Sequence, residues 1–231
     1  LLAFARKQGG LIRPNNLRLL RSVSCGLIKM IAIIDYGMGN IHSVQKALES
    51  MAAKTVVTNK PSDIRACDKA VLPGVGAFDD AVLELRKQDL MSAISEFMKA
   101  GKIFLGICLG MQLLFEESEE AKTTKGLGAL KGAVKKFQNK DGLKVPHMGW
   151  NQLKIKNSDC PLLKDIPDNS YVYFCHSYYP KPQDERIIAA ITDYGVDFTS
   201  ILRQDNIYGV QFHPEKSQET GLKILKNFVN L

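Results

Sequence analysis

The sequence predicts an α/β fold built as a single domain, with a mostly parallel central sheet flanked by helices and a second half richer in antiparallel strands. The first half alternates short apolar runs, typical of buried parallel strands, with segments whose apolar residues recur at helical spacing. The second half shows short strand patterns joined by short turns. A chain of 231 residues, 45% hydrophobic and 24% charged, has the size and composition of one such domain.

In the first half, strand patterns and helical patterns follow one another along the chain. The predicted strands span residues 30–35, 54–57, 70–72 and 103–105. The predicted helices span residues 41–51, 78–85, 90–98 and 109–115. We expect Asn40 to cap the first helix and Gly101 to end the third, because these residue types favour those positions.

In the second half, several strand patterns precede one closing helix. The predicted strands span residues 133–138, 151–155, 171–175, 187–191, 198–202 and 207–212. The closing helix is predicted over residues 219–231, and its predicted inward face consists of Leu222, Leu225, Phe228 and Val229. The short turns between these strands favour partly antiparallel pairing.

The net charge of +7 comes almost entirely from residues 1–29, which contain six basic residues and no acidic one. We interpret this basic extension as sequence upstream of a domain that begins at Met30. An organellar transit segment and a basic tail that touches a partner are the alternatives. In each case we expect the extension to stay outside the core. The rest of the chain is nearly neutral, which argues against a nucleic-acid surface.

Composition also argues against membranes, metals and disulfides. The sequence has no apolar run near the ~20 residues that span a bilayer. Its cysteines lie at positions 25, 67, 108, 160 and 175, without a C-x-x-C pair, and its histidines at 42, 147, 176 and 213 lack metal-ligand spacing. We therefore expect no metal or cofactor and a reducing compartment, most simply the cytoplasm, or an organelle if residues 1–29 are a transit segment.

The segment around Cys108 carries the strongest chemical signal. Residues 106–110 read Gly-Ile-Cys-Leu-Gly between a strand pattern and a helical pattern. This is the spacing of a nucleophile elbow, in which a sharp turn strains the nucleophile and larger side chains two residues away would collide. The helix N-terminus would favour a thiolate. The alternative is an inert buried cysteine.

A second glycine-rich segment, Pro73-Gly74-Val75-Gly76, follows the third predicted strand. Two glycines around one residue give a loop whose peptide planes turn easily and whose N–H groups are exposed. Such a loop suits an oxyanion hole or anion binding. An ordinary turn is the alternative.

A thiolate nucleophile needs a base nearby in space, and residues 211–217 supply one. His213 precedes a proline and is therefore biased toward extended backbone. In an extended segment His213 and Glu215 would point to the same side. They would complete a Cys-His-Glu triad in which the carboxylate orients the imidazole. A loop histidine beside a surface glutamate is the alternative.

These motifs resemble those of class I glutamine amidotransferases, and within that family those of the glutaminase subunits of imidazole glycerol phosphate synthases. The motifs are I-I-D-Y-G-M-G-N (33–40), P-G-V-G-A-F (73–78), G-I-C-L-G-M-Q (106–112), H-M-G-W-N (147–151), H-S-Y-Y (176–179) and Q-F-H-P-E-K-S (211–217). The resemblance covers residues 30–231. Glutaminases of anthranilate synthases usually carry His where this chain has Met111, and lack Lys216.

The resemblance implies a role for each candidate residue. Cys108, His213 and Glu215 would be catalytic. Backbone N–H groups of Leu109 and of the loop Gly74, Val75 and Gly76 would stabilise the oxyanion. The residues implied to hold the glutamine substrate are Gln112, Glu120, Ser177 and Tyr178.

The resemblance also implies a partner. Ammonia would pass to a separate cyclase subunit, a (β/α)8 barrel, in a heterodimer that makes imidazole glycerol phosphate and aminoimidazole carboxamide ribonucleotide. No cofactor, metal, nucleic acid or membrane is implied. Three alternatives differ in function: a glutaminase of another synthase such as anthranilate synthase, a cysteine peptidase on a similar scaffold, and a binding module that tolerates loss of Cys108.

Overall fold

The computed structural model describes residues 29–138 and 142–231. The interpretation of residues 1–29 as an extension outside the core concerns, apart from the exposed Lys29, residues that lie outside these ranges. The strands are β1 (Met30–Ile34), β2 (Lys54–Thr58), β3 (Lys69–Gly74), β4 (Ile103–Cys108), β5 (Phe115–Ser118), β6 (Leu130–Lys136), β7 (His147–Gln152), β8 (Lys154–Ile155), β9 (Tyr171–His176), β10 (Tyr178–Pro182), β11 (Ile188–Asp193), β12 (Asp197–Gln204) and β13 (Ile207–Val210). The α-helices are α1 (Ile41–Glu49), α2 (Pro61–Ala66), α3 (Phe78–Lys87), α4 (Leu90–Lys99), α5 (Leu109–Gln112) and α6 (Gln218–Val229).

Eight strands form the central sheet in the order β2-β1-β3-β4-β13-β12-β11-β8. The strands from β2 to β13 pair in parallel, and those from β13 to β8 pair antiparallel. This confirms the predicted fold. Gly74 at the end of β3 lies opposite Cys108 at the end of β4, and Val210 at the end of β13 lies opposite Ile107. Three chain segments that carry the candidate motifs therefore leave the sheet at one edge.

Each face of the sheet packs against its own apolar layer, which explains why the parallel strands are apolar throughout. In β1, Ile31 and Ile33 face the layer formed with α1 and α6, while Ala32 and Ile34 face the layer formed with α3 and α4. Among the described residues, no helix is long and apolar enough to cross a membrane.

Among the described residues, two smaller sheets flank the central one, and they contain five of the nine strands from β5 to β13. One has the order β10-β6-β5, and the other consists of the antiparallel pair β7-β9. The sequence patterns missed β5, β10, helix α2 and most of β7. The predicted strand over residues 151–155 covers only the last two residues of β7 and then β8.

The predicted helix over residues 109–115 was wrong in its length. Helix α5 ends at Gln112, and Phe115 already begins β5. The backbone carbonyls of Leu113 and Leu114 accept hydrogen bonds from the N–H groups of Leu127 and Leu130. Pairing with this later segment replaces the continuing helix that the apolar run indicated.

Two smaller predictions were also wrong. Asn40 stands at the N-cap position of α1, but its side chain makes no capping hydrogen bond. Leu222 is 40% exposed rather than inward-facing, because Gly221 and Ile224 occupy the buried face of α6 beside Leu225 and Phe228. Gly101 ends α4 as predicted, with a φ of +74°.

The C-terminal end of α6 is held by a lysine from the sheet. The side chain of Lys69 is fully buried, and its Nζ donates to the carbonyls of Phe228 at 2.8 Å and Val229 at 2.6 Å. Hydrogen bonds from a charged donor satisfy carbonyls that the end of a helix otherwise leaves unpaired.

We expect Lys69→Met to lower the free energy of unfolding by about 1–3 kcal/mol, because one buried and one partly buried carbonyl lose their donor. Leu222→Gln on the exposed face of the same helix is the control and should change it little. Denaturant unfolding measures both. Equal stability of Lys69→Met and the wild type would mean that the cost of burying the ammonium cancels its hydrogen bonds.

Candidate active site

The nucleophile elbow is formed by a strained backbone between β4 and α5. Cys108 has φ 53° and ψ −111°, a conformation that non-glycine residues rarely adopt. A Cβ on Gly106 would lie 2.5 Å from the carbonyl oxygen of Gly110, and a Cβ on Gly110 would overlap the carbonyl oxygen of Leu72. Glycine at both positions is therefore required for the turn, for the steric reason that the sequence indicated. Helix α5 has only one turn, so it provides N–H groups rather than a long dipole.

The glycine loop lies directly beside this elbow. It begins where β3 ends at Gly74, and Gly76 adopts a φ of +95°. A Cβ on Gly74 would come 2.5 Å from the hydroxyl oxygen of Tyr36 and 3.1 Å from the backbone nitrogen of Gly110. Val75, between the glycines, is 43% exposed. The loop can therefore present backbone N–H groups beside Cys108 and still be reached from outside.

His213 and Glu215 form a buried hydrogen-bonded pair. The His213 Nδ1 atom lies 2.9 Å from Glu215 Oε1, and both side chains are almost fully buried. The predicted reason was wrong, since Glu215 lies in the 3-10 turn Pro214–Lys216 and not in extended backbone. The turn brings the carboxylate back to the ring and leaves the other ring nitrogen for Cys108.

The electrostatic setting of His213 favours its charged form. Burial by itself lowers the pKa of the imidazole, but hydrogen bonds and charges from Cys108 and Glu215 outweigh burial and raise the pKa to about 10. The imidazole therefore carries a proton at neutral pH when Cys108 is a thiolate. Such a pair provides a nucleophile and a proton donor together.

Ser217 fixes the backbone of His213, a role that sequence reasoning missed. Its hydroxyl donates to the carbonyl of His213 at 2.7 Å and accepts from the backbone N–H of Tyr173 at 2.9 Å. The backbone N–H of His213 in turn donates to the carbonyl of Tyr173 at 2.9 Å. The position of Ser217, four residues after His213, was a usable signal within the Q-F-H-P-E-K-S motif.

The buried amide side chains of Gln112 and Gln211 form a chain of hydrogen bonds that ends at the sulfur of Cys108. Gln211 Nε2 donates to Cys108 Sγ at 3.7 Å, and Gln112 Nε2 donates to Gln211 Oε1 at 3.1 Å. Gln112 Nε2 also donates to the carbonyl of Tyr178 at 2.9 Å. Sequence reasoning assigned Gln112 to the substrate and missed Gln211, although Gln211 stands two residues before His213.

A cavity of about 260 Å³ opens over these groups, a size that suits a small amino acid. The predicted residues that line it are Val75, Gly76, Cys108, Leu109, Gln112, Glu120, Ser177, Tyr178 and His213. Gly74 and Glu215 lie behind this wall. The lining residues that sequence reasoning did not assign are Pro146, Cys175, His176 and Lys216.

Glu120 is the acidic side chain of the cavity wall. Its Oε2 accepts the backbone N–H of Phe78, the first residue of α3, at 3.0 Å. Burial raises the pKa of this carboxyl, the bond from Phe78 opposes the rise, and the charges of Asp79 and Asp80 add to it. A cationic amino group of a ligand would be a favourable partner for this carboxylate. Among the described residues, no cluster of His, Cys, Asp and Glu could hold a metal ion.

His147 and His176 form a buried pair of imidazoles at the cavity, which His176 lines, and both rings stay neutral at pH 7. His176 Nδ1 faces the carbonyl of Tyr178 at 2.8 Å, so this nitrogen carries the hydrogen. His147 Nδ1 lies 3.1 Å from His176 Nε2 and is therefore the donor between the rings. Burial lowers the pKa of His147 to about 4 and that of His176 to about 3, a value to which the charges of His147 and His213 contribute. His176 thereby positions the Tyr178 carbonyl, which also accepts a hydrogen bond from Gln112.

The chain is similar to known proteins over most of its length. Residues 32–231 match the family model described as glutamine amidotransferase class-I. The chain is 50% identical over 202 residues to the imidazole glycerol phosphate synthase subunit HisH of Gloeothece citriformis, covering 87% of this chain and 95% of that protein. It is 52% identical over 202 residues to the subunit of the same name from Methanocaldococcus jannaschii, covering 87% of this chain and 100% of that protein.

Solved structures support the fold alone. A chain of the structure of PurLQS from Thermotoga maritima is similar with a TM-score of 0.69 at 20% identity. The similarity covers 88% of this chain and 99% of that one.

The neutral histidine pair predicts a loss of stability in mild acid. Between pH 6.5 and about 4, His147 and His176 bind protons in the unfolded chain but not in the folded one, so the unfolding free energy falls as the pH falls. From pH 7 to pH 5 the loss should be about 2 kcal/mol for one such imidazole.

Urea unfolding at both pH values measures this loss, and His147→Phe is the comparison because it retains an aromatic ring between Phe174 and Tyr194. The variant should lose clearly less stability between pH 7 and pH 5 than the wild type. The same loss in both proteins would mean that His147 titrates normally in the folded state.

Proposed function

The chain belongs to the class-I glutamine amidotransferase family, and from this premise we propose that it is the glutaminase subunit of an imidazole glycerol phosphate synthase. One observation carries the proposal within the structure. His213, which is hydrogen-bonded to Glu215, lines the same small cavity as Cys108, which a strained elbow presents to that cavity. This arrangement suits attack on a carbonyl followed by protonation of a leaving group.

The first half of the proposed reaction forms a thioester. The Cys108 thiolate attacks the side-chain amide carbon of glutamine, and the carbonyl oxygen becomes an oxyanion. Backbone N–H groups of Leu109 and of the Gly74-Val75-Gly76 loop stabilise that charge. The His213 imidazolium protonates the amide nitrogen, and the C–N bond breaks. Ammonia departs, and a γ-glutamyl thioester remains on Cys108.

The second half releases glutamate. Neutral His213 takes a proton from water, which attacks the thioester carbon, and the C–S bond breaks with return of the thiolate. Glu215 keeps the ring oriented through the 2.9 Å contact at Nδ1. Glu120, Gln112, Ser177 and Tyr178 are proposed to hold the substrate, with the Glu120 carboxylate facing its α-ammonium group.

The proposed partner is a cyclase subunit, a (β/α)8 barrel, that receives ammonia and makes imidazole glycerol phosphate and aminoimidazole carboxamide ribonucleotide. We place its contact on the β7-β9 pair, where Met148 and Trp150 are 63% and 45% exposed. Met148 pairs with Cys175, which lines the cavity, so a partner bound there would adjoin the ammonia source. The cytoplasm is the proposed location, with an organelle as the alternative if residues 1–29 are a transit segment.

We expect Cys108→Ala in the complex to abolish glutamine-dependent synthesis and to leave synthesis from ammonium salt intact, because Cys108 acts only in making ammonia. Synthesis of imidazole glycerol phosphate from each nitrogen source measures this. Cys175→Ala, which alters the second cysteine of the same cavity wall, is the matched control and should retain glutamine-dependent synthesis. Glutamine use by Cys108→Ala, or loss of the ammonia reaction in an assembled complex, would contradict the role of Cys108.

We expect glutamate release to rise at least about tenfold when the cyclase and its nucleotide ligand are both bound. One misaimed oxyanion donor changes a rate by roughly 10²–10³, and the Gly74-Val75-Gly76 loop can turn its peptides at little cost. The rates of the chain alone, with cyclase, and with cyclase plus ligand provide the test. Equal and fast rates in all three states would exclude control through this loop.

A further inference from the structure

Tyr36 is a buried residue that the reaction described above does not use. It lies just after β1, its side chain is fully buried, and its hydroxyl has no hydrogen-bond partner among residues 29–138 and 142–231. Its backbone is fixed, because the carbonyl oxygen accepts from Gln88 Nε2 at 3.2 Å. A phenylalanine would fill the same space without a buried polar group left unpaired.

The hydroxyl lies beneath the glycine loop. A Cβ placed on Gly74 would come 2.5 Å from the Tyr36 hydroxyl oxygen, and 3.0 Å from the Cβ of Leu109. The end of β3, the first turn of α5 and the hydroxyl therefore converge on one small space. Burial, and secondarily the negative charge of Cys108, raises the pKa of the phenol, so the group remains an O–H donor throughout the neutral range.

The Tyr36 hydroxyl is a buried donor without a partner, and it lies beside a loop whose peptides can turn. This indicates that the hydroxyl is paired in another conformation of that loop. Turning the peptide between Gly74 and Val75 moves its N–H to one side and its carbonyl to the opposite side. If the N–H turns toward the oxyanion, the carbonyl must find a donor on the buried side, where the Tyr36 hydroxyl lies.

We propose that Tyr36 is a positioning residue of the oxyanion loop, whose hydroxyl donates to the Gly74 carbonyl when the Gly74–Val75 peptide aims its N–H at the oxyanion. The proposal rests on the proposed glutaminase function and adds a residue to it. The hydroxyl is unpaired in the conformation described here and paired in the active one, so it favours the active conformation.

The experiment compares Tyr36→Phe with the wild type in the complete complex with the cyclase. Glutamate release is measured with and without the nucleotide ligand, and thermal unfolding is measured on the same proteins. We expect the ligand-activated kcat to fall about tenfold or more while KM and the unactivated rate change less than about twofold. The melting temperature should stay equal or rise, because the variant removes an unpaired hydroxyl.

Thr192→Val is the matched control. Thr192 on β11 is also fully buried with an unpaired hydroxyl in the described part of the chain, but β11 lies three strands away from β4. Thr192→Val should also have a melting temperature equal to or higher than that of the wild type, but its activation by the nucleotide ligand should not change. Synthesis from ammonium salt should be unchanged in both variants.

A lower melting temperature of Tyr36→Phe would overturn the proposal, because the hydroxyl would then be paired in the resting protein. An unchanged ratio of activated to unactivated rate would overturn it as well. Equal loss of both rates would assign the hydroxyl to Cys108 or the oxyanion directly and not to the loop. A wild-type complex without glutaminase activity would instead contradict the proposed function itself.

Discussion

The close contact between the first turn of α5 and the end of β3 is the constraint on which the site depends. Gly110 lies so near the carbonyl of Leu72 that no other residue fits, and this contact holds Cys108 in its strained conformation. The parallel order of β3, β4 and β13 then brings the glycine loop, the elbow and the His213 segment to one edge of the sheet. A Cβ at Gly110 would push the elbow away from β3 and separate the thiol from both neighbours.

The two buried histidines of the cavity differ in charge because only one of them contacts a carboxylate. His213 and His176 both line the cavity and are both buried, yet their pKa values shift in opposite directions. Glu215 and Cys108 provide negative charge for His213, whereas His176 faces a carbonyl and a second imidazole. One ring is thus prepared to donate a proton, and the other remains a neutral support for the Tyr178 carbonyl and the Gln112 amide.

Much of this was predictable from local sequence. Strands at 30–35 and 103–105 and the elbow glycines follow from apolar runs and steric limits. The pairing of His213 with Glu215 was also predicted, but from extended backbone, whereas a 3-10 turn brings the two side chains together. The short helix α5 was not predictable, because its end depends on pairing with Leu127 and Leu130, which are distant in sequence. Gln211 and Tyr36 were missed for a related reason: their neighbours Cys108 and Gly74 are brought to them only by the folded sheet.

Covalent labelling by an electrophilic glutamine analogue tests most directly whether the elbow makes Cys108 the nucleophile. Mass spectrometry of peptides from the labelled complex should find the label on Cys108 alone, with parallel loss of glutaminase activity and protection by excess glutamine. Cys175, which lines the same cavity, serves as an internal control. Label on Cys175 with Cys108 unmodified, or loss of activity with Cys108 unmodified, would contradict the assignment of Cys108 as the nucleophile.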